Sequence, residues 1–501
     1  MPCIKNVFFI VCRTISLVIF PLIRYNEDSS EKRSVFTNKR IQYRRRIMKE
    51  TIIQFGEGVF LRGFADHFLD VLNKKGLYDG KAVVIQPRPG GKVKLLQMQN
   101  CRYNLFLRGL RDGEAVSEHS RIESIARCVD PYLEYDAFAA LAENPDFRFV
   151  VSNTTEAGIA FDPECSRNDT PCLSFPGKVA QLLYRRYQLG LNGFIFLPCE
   201  LIDNNGDALK ECVLRYARHW NLEPEFCAWV EEKNTFANTL VDRIVTGYPE
   251  AEREALLPLV GFDDLCMNTA ELFGLWVIEG DFENELPLRE AGLPVVWTND
   301  VSPYKKRKVR VLNGAHTSTV FPALLCGVET VGEAMNDPLV RKFMEANLYG
   351  YILPMLGEND ENLEFASAVL DRFSNPYIRH LWKAISLNSV SKFTVRVLPT
   401  MLDCRSRRGE WPKTLVFSLA CLLKYYKEQE VSDSPEAVAY IREHDIPEIL
   451  ANRELWGTEL SECLPMIREC FVQLESGARE AMRWVLEDGI MTKNDVRNNM
   501  R

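Results

Sequence analysis

Thr51-Ile-Ile-Gln-Phe55-Gly56-Glu-Gly58-Val-Phe60-Leu-Arg62-Gly-Phe64-Ala-Asp-His-Phe68-Leu69-Asp-Val-Leu72 is the stretch that decides the fold class. Its first five residues form a short β-type run. Gly56 and Gly58 follow, and then apolar residues recur at Phe60, Phe64, Phe68, Leu69 and Leu72, the spacing of one helix face, with Gly76 placed as a C-cap. Strand, glycine turn and helix in this order form the unit that cradles a dinucleotide pyrophosphate. The glycines allow close backbone approach, and the helix N-terminus supplies amide donors. A third glycine would fall at position 61, which is Leu61. The glycines alone are therefore also compatible with an ordinary tight strand–helix turn.

Working outward, Ala82-Val-Val-Ile85 is a continuous apolar run suited to a parallel strand buried on both faces. Phe147–Val151 and Gly193–Leu197 read as further strands, and Lys178–Tyr187 and Leu209–His219 as helices. Strand alternating with helix predicts an α/β, Rossmann-like doubly wound N-terminal domain. Beyond residue 263 strand candidates become rare, Leu293–Trp297 being the main one. Leu312–Leu325, Pro338–Tyr351, Glu361–Phe373, Thr414–Tyr426 and Pro465–Leu474 read as helices. The expected organisation is a dinucleotide-binding domain over 48–262 and a mostly α-helical substrate domain over 263–501.

A chain of 501 residues exceeds the usual single-domain size. Its net charge of −8 disfavours a nucleic-acid partner, which needs a concentrated basic surface. The 15 cysteines include no C-x-x-C pair, so neither a zinc site nor a disulfide framework is indicated. Free thiols in a reducing cytoplasm are the expectation. Val7–Ile23 is apolar but broken by Arg13, and Arg44-Arg-Arg46 follows. No clean span of about 20 apolar residues is present. The expectation is no membrane association, with translation starting at Met48 and residues 1–47 a mis-assigned or disordered extension.

In this fold a carboxylate after the second strand holds the 2′-hydroxyl of NAD. Here that place reads Gln86-Pro-Arg88. Gln86 suits a hydroxyl and Arg88 the extra phosphate of NADP, so the residues leave NAD and NADP both open. Asn153 and Thr155, just after a strand, are candidates for the nicotinamide or ribose end. The segment Lys308-Val-Arg-Val-Leu-Asn313-Gly-Ala-His316 offers a proton donor and two polarising groups. Carbonyl reduction needs both. At about 100° per residue the three side chains span an arc of about 140° on a helix. Spacing alone favours the plainer reading: a solvated basic run, an Asn-Gly turn and a core histidine.

Gly56-Glu-Gly-Val-Phe60-Leu-Arg62, Val241-Asp242-Arg243-Ile244, Trp276-Val-Ile-Glu279 and Asp300-Val-Ser-Pro-Tyr304-x3-Lys308-x4-Asn313-x2-His316 together resemble the polyol-specific long-chain dehydrogenases, the mannitol dehydrogenase family. The resemblance runs from about Thr51 to the C-terminus. It implies a nicotinamide-dependent oxidoreductase with no catalytic metal. In it Lys308 is the general acid/base, Asn313 and His316 polarise the carbonyl, and Phe55, Gly56, Gly58, Phe60, Arg62, Gln86, Asn153 and Thr155 border the cofactor. Gln54–Arg62 and Ser152–Ile159 are most similar to the family's hexuronate-reducing branch. That implies NADH-linked interconversion of D-tagaturonate and D-altronate in hexuronate breakdown. Fructuronate or fructose–mannitol chemistry is the alternative within the family, and a non-catalytic dinucleotide sensor the alternative outside it. The substrate carboxylate calls for cations. Lys392 and Arg396 in Ser391-Lys-Phe-Thr-Val-Arg396, and Arg243, are the candidates. One departure stands out: the family's Cys-Asp-Asn reads Cys199-Glu200-Leu201, so a carbonyl-polarising asparagine is missing unless Asn204 or Asn205 replaces it.

Overall fold

The computed structural model describes residues 48–357 and 359–487. The expectation for residues 1–47 therefore lies outside the described residues. Strand β1 (Lys49–Phe55) is the centre of a six-stranded sheet with β2 (Gly80–Ile85), β5 (Ile125–Val129), β6 (Phe149–Ser152), β7 (Ile195–Pro198) and β8 (Thr235–Phe236). The order is β5-β2-β1-β6-β7-β8, every pairing parallel. This is the doubly wound order, whose direction reverses between β1 and β6. Ile53, Phe55, Val83, Ile85, Val150 and Phe196 face one hydrophobic layer, which includes residues of the helices Phe175–Gln188 and Asn205–His219. Ile52, Ala82, Phe149, Val151, Ile195 and Leu197 face the other, with Phe64, Phe68 and Trp276. Burial on both faces is why these strands read as unbroken apolar runs.

The helix read from Phe60 to Leu72 is two helices, Val59–Gly63 and Ala65–Lys74. They part at Phe64, whose φ of −130° and ψ of −87° are not helical. Gly76 has a φ of +70°, as its C-cap position requires.

Two smaller sheets lay outside the expectation. Strands β3 (Tyr103–Arg111) and β4 (Glu114–Ile122) form a hairpin; β10 (Val245–Gly247) and β11 (Asn268–Glu271) complete a sheet in the order β10-β11-β3-β4. Strands β9 (Thr239–Asp242), β12 (Leu275–Glu279) and β13 (Val295–Thr298) pair as β13-β12-β9. Two strands past residue 263 were thus missed, β11 and β12. Both are short, and they pair with segments far away in sequence, so no local period marks them. β4 is an edge strand exposed along most of its length and carries no apolar alternation.

From Ser302 on, the described chain is helical. Its core includes the helix Lys413–Glu428, whose residues Leu415 to Leu423 are almost all fully buried. A helix apolar all round belongs inside a core.

Candidate functional site

The carboxyl ends of β1, β6 and β7 open on a cavity of about 560 Å3 bordered by Phe60, Asn153, Thr155, Glu200, Leu201, Val241 and Lys308, among others. A second cavity of about 680 Å3 adjoins it and shares Glu156, Glu200, Leu201, Val241 and Lys308. Beyond that shared wall, the second cavity is bordered by Asn204, Lys305, Lys306, Arg310, Asn313 and Arg396. Lys308 therefore stands where the two meet.

The first cavity suits a dinucleotide. Gly56 has a φ of +123°, and a Cβ there would lie 3.0 Å from the Asn153 carbonyl oxygen. A Cβ on Gly58 would meet nothing within 4 Å, so the turn leaves open space. That space lies at the topological switch point, where such ligands bind. Asn153 ties β6 to β7 by donating from Nδ2 to the Cys199 carbonyl at 2.7 Å. Ser152 and Thr154 hold the Glu200 carboxylate, through Ser152 Oγ to Oε2 and through Thr154 N and Oγ1 to Oε1, each at 2.9 Å. Burial nonetheless pushes the Glu200 carboxyl above its usual range.

Two residues expected at the cofactor, Phe55 and Arg62, serve the scaffold instead. The Phe55 ring is fully buried, 4.9 Å from the Phe175 ring. Arg62 is buried, donates to Cys266 O and Glu57 O, and lies over the Tyr103 ring, so its guanidinium is consumed inside the fold. Gln86 is 2% exposed and donates from Nε2 to Asp130 Oδ2 at 3.0 Å.

Lys308 closes the helix Ser302–Lys308, and the chain continues through a π turn, Val309–Asn313, into the helix Gly314–Leu325. On an α-helix residues five apart diverge by about 140°. A π turn bonds residues five apart, so it stacks Lys308 and Asn313 on one face. Both border the second cavity. The Asn313-Gly314 pair is thus helical. A Cβ on Gly314 would lie 3.1 Å from the Arg396 carbonyl oxygen. That glycine lets the helix Ser389–Arg396 pack close enough to carry Arg396 to the cavity.

Lys308 Nζ donates to Val241 O at 2.8 Å and lies 3.7 Å from Asp242 Oδ1. Asp242 is also bonded by Arg372, at 3.0 and 2.9 Å, and Arg372 in turn by Glu271, at 2.9 and 2.7 Å. This buried network alternates in sign. Burial lowers the Lys308 pKa; Asp242 opposes the shift and Arg372 adds to it. Asp242 is held below the usual carboxylate range by Lys308 and Arg372, which outweigh its burial.

His316 borders neither cavity. The π turn sets the phase of the following helix so that the ring stacks on Phe373, centroids 4.0 Å apart, beside His380 and Trp382. Burial first, and then His380, Arg372 and Arg396, hold its pKa well below the usual value, so the ring is neutral. Its Nε2 is buried without a protein partner.

Among the candidate cations, Arg396 reaches the second cavity, and its Nη1 donates to Thr317 Oγ1 over a long 3.4 Å. Lys392 does not border that cavity; it donates to Ile385 O at 3.0 Å. Arg243 borders the first cavity, but its guanidinium is spent on Gly63 O and Phe273 O, each at 2.9 Å. Leu201, at the place where the resemblance leads one to expect asparagine, lies between the two cavities and is 58% exposed. Asn205 is no substitute: its amide is bonded to Pro198 O, Glu200 O and Thr239 N. Asn204 does border the second cavity. Asp242 and Glu200 belong to the family-like motifs, where residue type alone gives them no role. Only their burial beside Lys308 and the cavities marks them.

Residues 50–290 match the family model of the mannitol dehydrogenase Rossmann domain, and residues 300–476 that of the mannitol dehydrogenase C-terminal domain. The chain belongs to the mannitol dehydrogenase family. It is 41% identical over 465 residues to an altronate oxidoreductase of Bacillus subtilis, covering 89% of this chain and 97% of the relative. It is 45% identical over 416 residues to an altronate oxidoreductase of Pectobacterium carotovorum, covering 81% and 85%. Among solved structures, a D-sorbitol dehydrogenase in substrate-free form superposes with a TM-score of 0.78 at 24% identity, covering 87% of this chain and 95% of that one. Pseudomonas fluorescens mannitol 2-dehydrogenase, solved with NAD and D-mannitol, gives 0.66 at 23% identity, covering 88% and 95%. The doubly wound domain followed by a mostly helical one is thus the family's architecture, and the chain is an oxidoreductase acting on CH–OH groups. Among the described residues no helix is long and apolar enough to cross a membrane.

Proposed function

We propose that this enzyme reduces D-tagaturonate to D-altronate with NADH, reversibly, with segment 48–262 binding the cofactor and 263–501 the hexuronate. The observation that carries the reading is the placement of Lys308. It sits at the junction of a cavity at the carboxyl ends of the parallel strands, bordered by Phe60, Asn153 and Thr155, and a cavity bordered by Asn313 and Arg396. NADH, when bound, supplies hydride to the ketone carbon. Lys308 gives its proton to the oxygen that becomes the new hydroxyl, and in the reverse direction the neutral amine takes that proton back. Lowering of the lysine pKa by burial serves this two-way role, because a general acid/base works best with a pKa near the working pH. Val241 O and Asp242 hold the ammonium in place until it is used.

Asn313 donates to the carbonyl oxygen beside Lys308 on the stacked face. His316, neutral, buried among Phe373, His380 and Trp382 and bordering neither cavity, is given no part in proton transfer. Arg396 takes the substrate carboxylate, since charge-assisted bonds to a planar guanidinium suit it. Relatives named altronate oxidoreductase support the uronate over a neutral ketose. A panel of D-tagaturonate, D-fructuronate and D-fructose, each assayed with NADH and with NADPH, tests the reading. D-Tagaturonate with NADH should give the highest kcat/KM. A preference for fructose would overturn the uronate assignment.

A further inference from the structure

We propose that Asp130, acting on Gln86, makes the cofactor site selective for NADH over NADPH; this rests on the dehydrogenase reading above. Sites that choose NAD usually place a carboxylate after the second strand of the doubly wound sheet. Here that position holds Gln86, and the exposed Arg88 stands two residues on, a residue type that suits a 2′-phosphate. Residue types alone thus point both ways, and the geometry separates them.

β2 and β5 are parallel neighbours, with Ile85 opposite Val129. The next residues, Gln86 and Asp130, therefore stand side by side at the corner where the adenosine ribose lies. Gln86 Nε2 donates to Asp130 Oδ2 at 3.0 Å, and Tyr132 N donates to Asp130 Oδ1 at 3.0 Å. An ionised carboxylate accepts only. It therefore fixes the orientation of the Gln86 amide: the NH2 faces Asp130, and Oε1 is left to face away. The loop after β2 locks the side chain further, since Gln86 Cγ and Glu57 Oε1 crowd the point where a Cβ on Gly91 would stand.

The corner thus presents an amide carbonyl backed by a carboxylate. A ribose hydroxyl donates to such a pair. A 2′-phosphate, which has only acceptors and negative charge to offer, is repelled by both, and selectivity by repulsion of the wrong ligand is a common device. Arg88 does not reverse this while the carboxylate stands. Asp130 is a specificity-determining residue in this account, and Gln86 is the group it positions.

The test is titration of the unliganded protein with NADH and with NADPH, followed by nicotinamide fluorescence, alongside the kcat/KM ratio for the two. The wild-type protein should bind NADH the more tightly. Asp130→Asn keeps the shape and the Tyr132 bond but frees the Gln86 amide to turn its NH2 outward. It should cut the preference for NADH by about tenfold or more. Adding Arg88→Ala to that variant should cancel the gain in NADPH affinity. A folded Asp130→Asn protein with an unchanged preference overturns the proposal, as does a wild-type preference for NADPH. Should Asp130→Asn not fold, Gln86→Met removes the whole amide, the ribose acceptor together with the Asp130 bond, and should weaken NADH by about fivefold without weakening NADPH; equal losses on both overturn the proposal. A wild-type protein that binds neither cofactor overturns the dehydrogenase reading, and this one with it.

Discussion

Replacing Asp242 with asparagine removes the negative charge nearest to Lys308 while keeping the size of the side chain. Nζ and Oδ1 are 3.7 Å apart and both groups are largely buried. At an effective dielectric of about 20, two unit charges at that distance attract by about 4 kcal/mol. At 1.36 kcal/mol per unit this corresponds to about three pH units at most. The Val241 carbonyl still accepts from Nζ and returns part of the loss. Arg372, deprived of one of its two carboxylates, adds repulsion in the same direction as the mutation.

The sign follows from the opposing causes on Lys308: burial lowers its pKa, and Asp242 is the main group raising it. Without Asp242 the lysine sheds its proton at lower pH. Ketone reduction needs the protonated lysine, so its alkaline limb should move toward acid by about one to three units. Altronate oxidation needs the neutral amine, so its acid limb should move the same way. The assay is kcat/KM against pH in both directions, with thermal unfolding to confirm a folded variant. Breaking a buried pair costs about 3–5 kcal/mol, so a lower Tm is expected. A limb that stays put, or moves toward alkali, would refute the assignment of Lys308 as the titrating group.

Lys308→Ala should lower turnover by about 100- to 10,000-fold while NADH still quenches and binds, because the lysine moves a proton and does not hold the cofactor. Arg396→Ala should raise KM for tagaturonate by about ten- to a hundredfold, the loss of a charge-assisted bond, and change KM for uncharged fructose far less; equal effects on both would remove Arg396 from the carboxylate site. Asp66 supplies a stability test away from the chemistry. Burial raises its pKa to about 7, with Oδ1 lacking a partner. A raised folded pKa contributes stability that is present at acid pH and lost as pH climbs through about 7. Asp66→Asn should therefore gain in thermal stability, relative to wild type, between about pH 4 and pH 7 and level off above; a gain independent of pH would show that Asp66 is ionised throughout.

How far the sequence speaks for the structure differs from element to element. β1, β2, β6 and β7 are legible because burial on both faces makes them apolar throughout. β11 and β12 are not, since four or five residues with distant partners leave no period to read. Lys308 and Asn313 are legible as a motif, whereas their common face is not: the arc computed for an α-helix is wrong once a π turn intervenes. Phe55 and Arg62 belong to the motif yet point into the core, because a motif records which residues travel together and not which way each one faces. The partners of Lys308 in the ion network, Arg372 and Glu271, lie far from it in sequence, and only folding brings them within reach.

The π turn at Val309–Asn313 also bears on which changes of chain length this helix tolerates. Upstream of it the helix is phased to the cleft by Lys308; downstream it is phased to the core by Ala315, Val320, Phe321 and Ala323. The π turn joins the two with one residue more than an α turn holds. An α turn in the same place would hold one residue fewer, and Lys308 and the asparagine, then four apart, would still share a face. Removing one residue between them therefore keeps both phases and costs only a shift along the axis of about 1.5 Å. Adding one has no such outlet, because the turn is already the wide one. Single-residue deletions here should be better tolerated than insertions.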